Sequence, residues 1–229
     1  MPELPEVETI VRELRKRIIG LKITDFWSDK DKPFKQAGGM AKFKKEIKGR
    51  KILSIVRRAK FIVIDTEGDS PRQSLWRSAG KSLFIHQKIS GHLMYGKWVP
   101  LEVRRPVAGR LLAMPLGQTG PLTGWSSAIP GPLRDDRQNQ YIRYIWTLSN
   151  GYQLAMSDLR RFSRVILVRD RDISNLKEIR DLGPEPLEIS FKKFRELFDP
   201  STKLMTRKRG NLKPVLMDPF FIVGIGNIY

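Results

Sequence analysis

The chain has 229 residues, 40% of them hydrophobic, which is enough for one large domain or for one domain plus a smaller one and argues against wholesale disorder. Its 43 Lys+Arg against 24 Asp+Glu give a formal charge of +19, which favours a polyanion as partner, although a generic basic protein or one that meets anionic lipid has the same balance. The absence of Cys excludes disulfides and cysteine-ligated metal, the two His argue against a histidine cage, and no apolar run approaches the roughly 18 residues that span a bilayer.

The N-terminus is not a secretory signal, because Glu3, Glu6 and Glu8 occupy the place of a basic region. It reads instead as a helix. Pro5 suits a first turn, Glu6 and Glu8 suit the positive end of the helix dipole, and Val7, Ile10, Val11, Leu14 and Ile18 form one apolar stripe. Gly20 is a fitting stop. Strand-like runs follow at 21–27, 51–56, 61–65, 82–89, 141–148, 152–156 and 164–168, with Asn150-Gly151 as a hairpin turn between two of them. One helix followed by many short strands predicts an α+β fold, a β-sandwich or flattened barrel with the N-terminal helix packed on it.

Thr66 to Gly80 reads as a polar loop, and Pro100 to Gln140 as a mobile insertion of about 100–140, too long for an ordinary connection. Leu182 to Leu187 (LGPEPL) reads as a linker, since two prolines resist both helix and strand. The expected organisation is a catalytic domain at 1–181, a linker at 182–187 and a helical part at 188–229, with an amphipathic helix over 191–198 and another starting at Leu212. The abrupt apolar ending at Tyr229 suggests a truncated chain.

Trimming of Met1 would free Pro2 as a secondary amine, a group that attacks a sugar C1′ and forms an iminium. Glu3 and Glu6 lie within reach of that terminus and can move protons, yet Pro and Glu at these places also suit an ordinary helix start.

The order of motifs is more specific. Met1 to Thr9 (MPELPEVET) resembles the opening of the formamidopyrimidine-DNA glycosylases, the bacterial family. Arg57-Arg58-Ala59-Lys60, His86-Gln87-Lys88-Ile89-Ser90-Gly91, Asp158-Leu159-Arg160-Arg161-Phe162-Ser163, the 182–187 block and Val223 to Tyr229 resemble further family blocks in family order. The resemblance implies a base-excision enzyme that removes oxidised purines, 8-oxoguanine and formamidopyrimidine, and then cleaves the strand by β,δ-elimination. It implies Pro2 as nucleophile, Glu3 as acid/base, Glu6 as support and Lys60 on a phosphate. It places Ile89, Arg160 and Phe162 in the void left by the everted base, and Asn227 on a phosphate from a helix–two-turns–helix module that would be incomplete here. Lys203, Arg207, Lys208, Arg209 and Lys213 form a basic run upstream of Asn227.

Three departures stand out. Ile89 replaces the family's Met, and Lys88 and Ser163 each replace a Gly, which alters the loops if either Gly required positive φ. The family's zinc finger needs four Cys, so no cofactor is expected in this chain. The implied partner is double-stranded DNA with a damaged base, met by a cytoplasmic, nucleoid-associated monomer with no membrane. Two rival readings are a truncated, non-catalytic DNA-binding remnant and an endonuclease VIII-like enzyme for oxidised pyrimidines; Leu4 and the Arg160–Phe162 block argue against the latter.

Overall fold

The structure, a computed structural model, describes residues 2–68, 80–100, 124–134, 136–199 and 212–228. The first helix, α1 (Leu4–Ile18), forms where the apolar stripe predicts, and it buries Val7, Val11, Leu14 and Ile18. Burial of each contributes roughly 1.5–3 kcal/mol. Strand β1 (Ile23–Ser28) and a short helix α2 (Met40–Ile47) follow. The sequence reading missed α2. Its eight residues carry a short apolar signal, Phe43 and Ile47 one turn apart, amid Lys42, Lys44 and Lys45.

Two four-stranded antiparallel sheets come next. Strands β2 (Ile52–Arg58), β3 (Phe61–Thr66), β4 (Lys81–His86) and β10 (Arg164–Arg169) make one sheet in the order β10-β4-β3-β2. Strands β5 (Gly91–Gly96), β8 (Ile142–Leu148) and β9 (Gln153–Asp158) join β1 in the order β1-β8-β9-β5. The sandwich core lies between them, where Phe26, Phe34, Phe43 and Trp146 pack with α1 and with alternate residues of the strands. The expected α+β sandwich is thus the observed fold. Asn150-Gly151 closes β8 onto β9, with Gly151 at φ +76 as this turn requires.

Two boundaries are corrected. The run read as strand to Ile89 ends at His86, because Lys88 takes a left-handed conformation at φ +54 and Gly91 N–H closes onto the Gln87 carbonyl at 3.0 Å. The strand β5 that follows was missed, having been absorbed into that motif. Part of the 100–140 stretch is also ordered into structure: β6 (Trp98–Pro100) pairs with β7 (Trp125–Ser127), and Trp98 packs on the outer face of the β1-β8-β9-β5 sheet. Residues 101–123 and 135 of it, residues 69–79 of the polar loop and the basic residues Lys203, Arg207, Lys208 and Arg209 lie outside the described residues.

The outer face of β3 and β4 is covered by the segment after β10, including a one-turn helix α3 (Lys177–Arg180). That explains why β3 is buried on both faces. Past the linker, α4 (Phe191–Glu196), two residues shorter than its apolar pattern suggests, and α5 (Leu212–Leu216) contribute to a small second cluster around Val215, Phe221 and Ile222. Among the described residues no helix is long and apolar enough to cross a membrane.

Candidate active site

The N-terminus of α1 meets the last described segment of the chain. Glu3 is the residue before the helix and is only 3% exposed. Its backbone N–H donates to the Glu6 carboxylate at 3.0 Å, so Glu6 closes the first turn. Its own carboxylate accepts the backbone N–H of Asn227 at 2.8 Å and of Ile228 at 3.3 Å. Leu4 N–H donates to the Gly224 carbonyl at 3.2 Å. Gly226 makes this approach feasible, since a Cβ there would fall 1.8 Å from the Glu3 carboxyl carbon. Pro2, half-buried, precedes this anchored acid directly.

Lys60 sits in the turn between β2 and β3. Burial pushes its ammonium below the ordinary lysine range, and the nearby charges of Glu3 and Glu6 partly offset that shift. Glu3, Glu6, Lys60 and the backbone of Asn227 are therefore neighbours, as the motifs lead one to expect. The Asn227 side chain is exposed.

The turn carrying Lys60 is held from outside the sandwich. Glu185 of the linker, 7% exposed, accepts from Ala59 N–H at 2.6 Å, from Arg58 at 3.1 Å and from Arg57. Arg57 also binds Glu8 of α1 at 2.9 Å, and Arg58 donates to the carbonyls of Leu182 and Gly183. A buried acid with three donors explains why Ala59 can occupy φ +54. The sequence marks Arg57, Arg58 and Glu185 only as parts of motifs; their pairing spans more than 120 residues and leaves no spacing signal.

Next to Lys60 lies a cleft of about 320 Å³ whose walls include His86, Lys88, Lys177 and the apolar Phe61 and Phe220. His86, missed by the sequence reading, accepts the Lys88 N–H on Nδ1 at 2.9 Å, so the neutral ring carries its proton on Nε2. Burial, and then the charges of Lys88, Lys60 and Arg164, push its pKa down to about 3. It is a fixed neutral donor rather than a proton shuttle near pH 7.

The three residues expected in the base void stand on two loops. Ile89 is 46% exposed and Phe162 54%, so neither is core packing, and Arg160 is exposed as well. Buried Asp158 ties the loops together: it accepts from Ser90 at 2.5 Å and from Ser163 N–H at 2.7 Å, while Arg160 N–H donates to Ser90 at 3.1 Å. Burial alone raises the Asp158 carboxyl, but the bonds from Ser90 and Ser163 outweigh it and hold the group below its usual range. Of the two replaced glycines, Lys88 does occupy positive φ; Ser163 does not, and Arg161 takes that conformation instead at φ +58.

The sequence profile of the formamidopyrimidine-DNA glycosylase N-terminal domain matches residues 1–165. This chain belongs to the formamidopyrimidine-DNA glycosylase family. Its relatives of that name in Pelotomaculum thermopropionicum and Desulforamulus reducens are each 33% identical, with 100% of this chain and 64% of each relative covered. The chain therefore spans about 64% of the length of these curated glycosylases. Among solved structures, a MutM in complex with DNA containing carbocyclic 8-oxo-G aligns at TM-score 0.65 and 25% identity, covering 100% of this chain and 66% of that one. A wild-type Lactococcus lactis Fpg (MutM) complexed with DNA containing an oxidized pyrimidine aligns at 0.64 and 25%, covering 100% and 65%. The sandwich with its N-terminal helix is thus the glycosylase family's N-terminal architecture.

Proposed function

We propose that this chain is the catalytic portion of a DNA glycosylase/lyase that excises oxidised purines, 8-oxoguanine and formamidopyrimidine, from duplex DNA. The observation that carries the reading is the Glu3 carboxylate, buried beside Pro2 and fixed by the amides of Asn227 and Ile228.

With Met1 attached, the Pro2 nitrogen is an amide and inert. Once Met1 is removed, its lone pair attacks the deoxyribose C1′, the bond from C1′ to the base breaks, and the base leaves with a proton. Glu3 handles protons at the sugar, and Glu6 supports it by closing the helix start. Glu3 then gives a proton to O4′ as the C1′–O4′ bond opens, and the nitrogen lone pair forms the iminium; this acidifies the C2′ proton, whose loss expels the 3′ phosphate, and a second elimination releases the 5′ phosphate. Lys60 and the Nε2–H of His86 hold a backbone phosphate beside the reacting sugar, and Asn227 holds another from the start of a helix–two-turns–helix module at 188–228. A base must leave the stack to be reached, and Ile89, Arg160 and Phe162 fill the gap. Ile89 is stiffer than Met and fills it less adaptably. None of these 229 residues is a Cys, so none can serve as a zinc-finger thiolate.

Borohydride reduction of the Met1-free protein on duplex containing 8-oxoguanine should trap a covalent protein–DNA adduct. Pro2→Gly should weaken trapping and Glu3→Gln should slow base release. Failure to trap any adduct, with salt-sensitive binding retained and no lesion preference, would leave a DNA-binding remnant in place of an enzyme.

A further inference from the structure

The cleft beside Lys60 holds more positive charge than one phosphate contact requires. Lys60, Lys88 and Lys177 all line it, and while the charges of Glu3 and Glu6 act on Lys60, among the described residues no acid of the cleft wall other than Glu178 faces Lys88 and Lys177. Glu178 is the acid in its wall, and that carboxylate is already taken by Arg164 at 2.7 Å. Phe61, Met217 and Phe220 add apolar surface, which lowers the local dielectric and strengthens both the repulsion among the ammonium groups and their attraction for an anion.

Lys88 adds a second observation. It is held at φ +54, a conformation that disfavours any residue with a Cβ, at the position where the family pattern has Gly. Strain of this kind clusters at ligand-binding sites, where the surrounding structure holds it in place. Its backbone N–H is fixed on His86 Nδ1 at 2.9 Å, so the root of the side chain has a defined place at the cleft wall. Lys177, the first residue of α3, is exposed and lines the same cleft.

We propose that Lys88 and Lys177 form a second phosphate subsite, so that the cleft grips two neighbouring phosphodiesters of one DNA strand, one on Lys60 and His86 and the next on this lysine pair. The proposal rests on the DNA-glycosylase reading and adds two binding residues to it.

The test is the salt dependence of duplex binding between 50 and 200 mM KCl for the full chain, Lys88→Gly, Lys177→Ala, the double variant, and Lys45→Ala as an exposed control on α2. Each cleft lysine should reduce the slope of log affinity against log salt by about 0.9, and the pair by about 1.8. The advantage of the unaltered chain over the double variant should therefore shrink about 12-fold across that range. Lys177→Ala alters an exposed side chain, so it reads the subsite even if changes at the Lys88 turn perturb folding. Unchanged slopes in both single variants, or an equal loss in Lys45→Ala, would overturn the subsite. An unaltered chain that binds duplex without salt dependence would instead overturn the DNA reading itself.

Discussion

Two turns lie side by side at one edge of the β10-β4-β3-β2 sheet, and they are built on opposite terms. The β2–β3 turn carries Ala59 and Lys60, and the β4–β5 turn carries Gln87 to Ser90; Phe61 and His86, at their feet, are paired in register. Both hold a non-glycine residue at φ +54. In the first, a buried carboxylate from the linker accepts the Ala59 N–H and two arginines, so strain is compensated by bonds. In the second, the Gln87 side chain is 1% exposed and neither its Nε2 nor its Oε1 has a hydrogen-bond partner among the described residues. Both strained amides are bonded, Lys88 N–H to His86 Nδ1 at 2.9 Å, so the turns differ in their side chains: a paired buried acid fixes the first as a scaffold, and the orphaned Gln87 amide marks the second as a place where stability has been given up.

The largest effect should come from the compensated turn. Glu185→Ala leaves Arg57, 4% exposed, with Glu8 as its remaining acid and frees the linker from the sheet. Chemical denaturation should record a loss of about 3 kcal/mol. A loss below about 1 kcal/mol would mean that the network is not what secures the turn.

His86 joins the two turns, and its effect depends on pH. Its folded pKa of about 3 lies below the unfolded value of about 6.5, so the folded state resists protonation. Its contribution is intact above pH 6.5 and is lost as the pH falls toward 3, by about 2 kcal/mol at pH 5. Between pH 7.5 and 5 the stability gap between the unaltered chain and His86→Gln should narrow by that amount, and a constant gap would contradict the burial of the neutral ring.

The turn with the orphaned Gln87 amide should respond in the other direction. Gln87→Leu removes two orphaned polar atoms and should stabilise the protein by about 1–2 kcal/mol in thermal or denaturant unfolding. Lys88→Gly should add about 0.5–1 kcal/mol by relieving the left-handed strain, net of the greater freedom of glycine in the unfolded chain. If Lys88→Gly destabilises, the two turns are more alike than their bonding indicates.

The sequence made part of this legible. The stripe of α1, the Asn150-Gly151 hairpin and the alternation of most strands are local patterns, and they appear within a few residues of their expected limits. Helix α2 and strands β5, β6 and β7 escaped because they are short or sit beside glycine and loop residues whose local signal is weak. At the candidate site, Pro2, Glu3, Glu6 and Lys60 are singled out in the sequence by their motifs alone, and the structure brings Glu3, Glu6 and Lys60 together. The Glu185 anchor, the His86 tautomer and the unpartnered Gln87 were not readable, because each depends on which distant side chains share a low-dielectric space.

The bonds from Asn227 and Ile228 to Glu3 have a consequence in time. The acid is made third, whereas the amide that sets it follows 224 residues later along the chain. Domains fold from the N-terminus as the ribosome works, at about 5–20 residues per second. The last sandwich strand ends at Arg169, so the helix and sandwich can take shape about 3–12 seconds before the carboxylate acquires its partners. A nascent chain thus carries Glu3 before the backbone that fixes its carboxylate has been made.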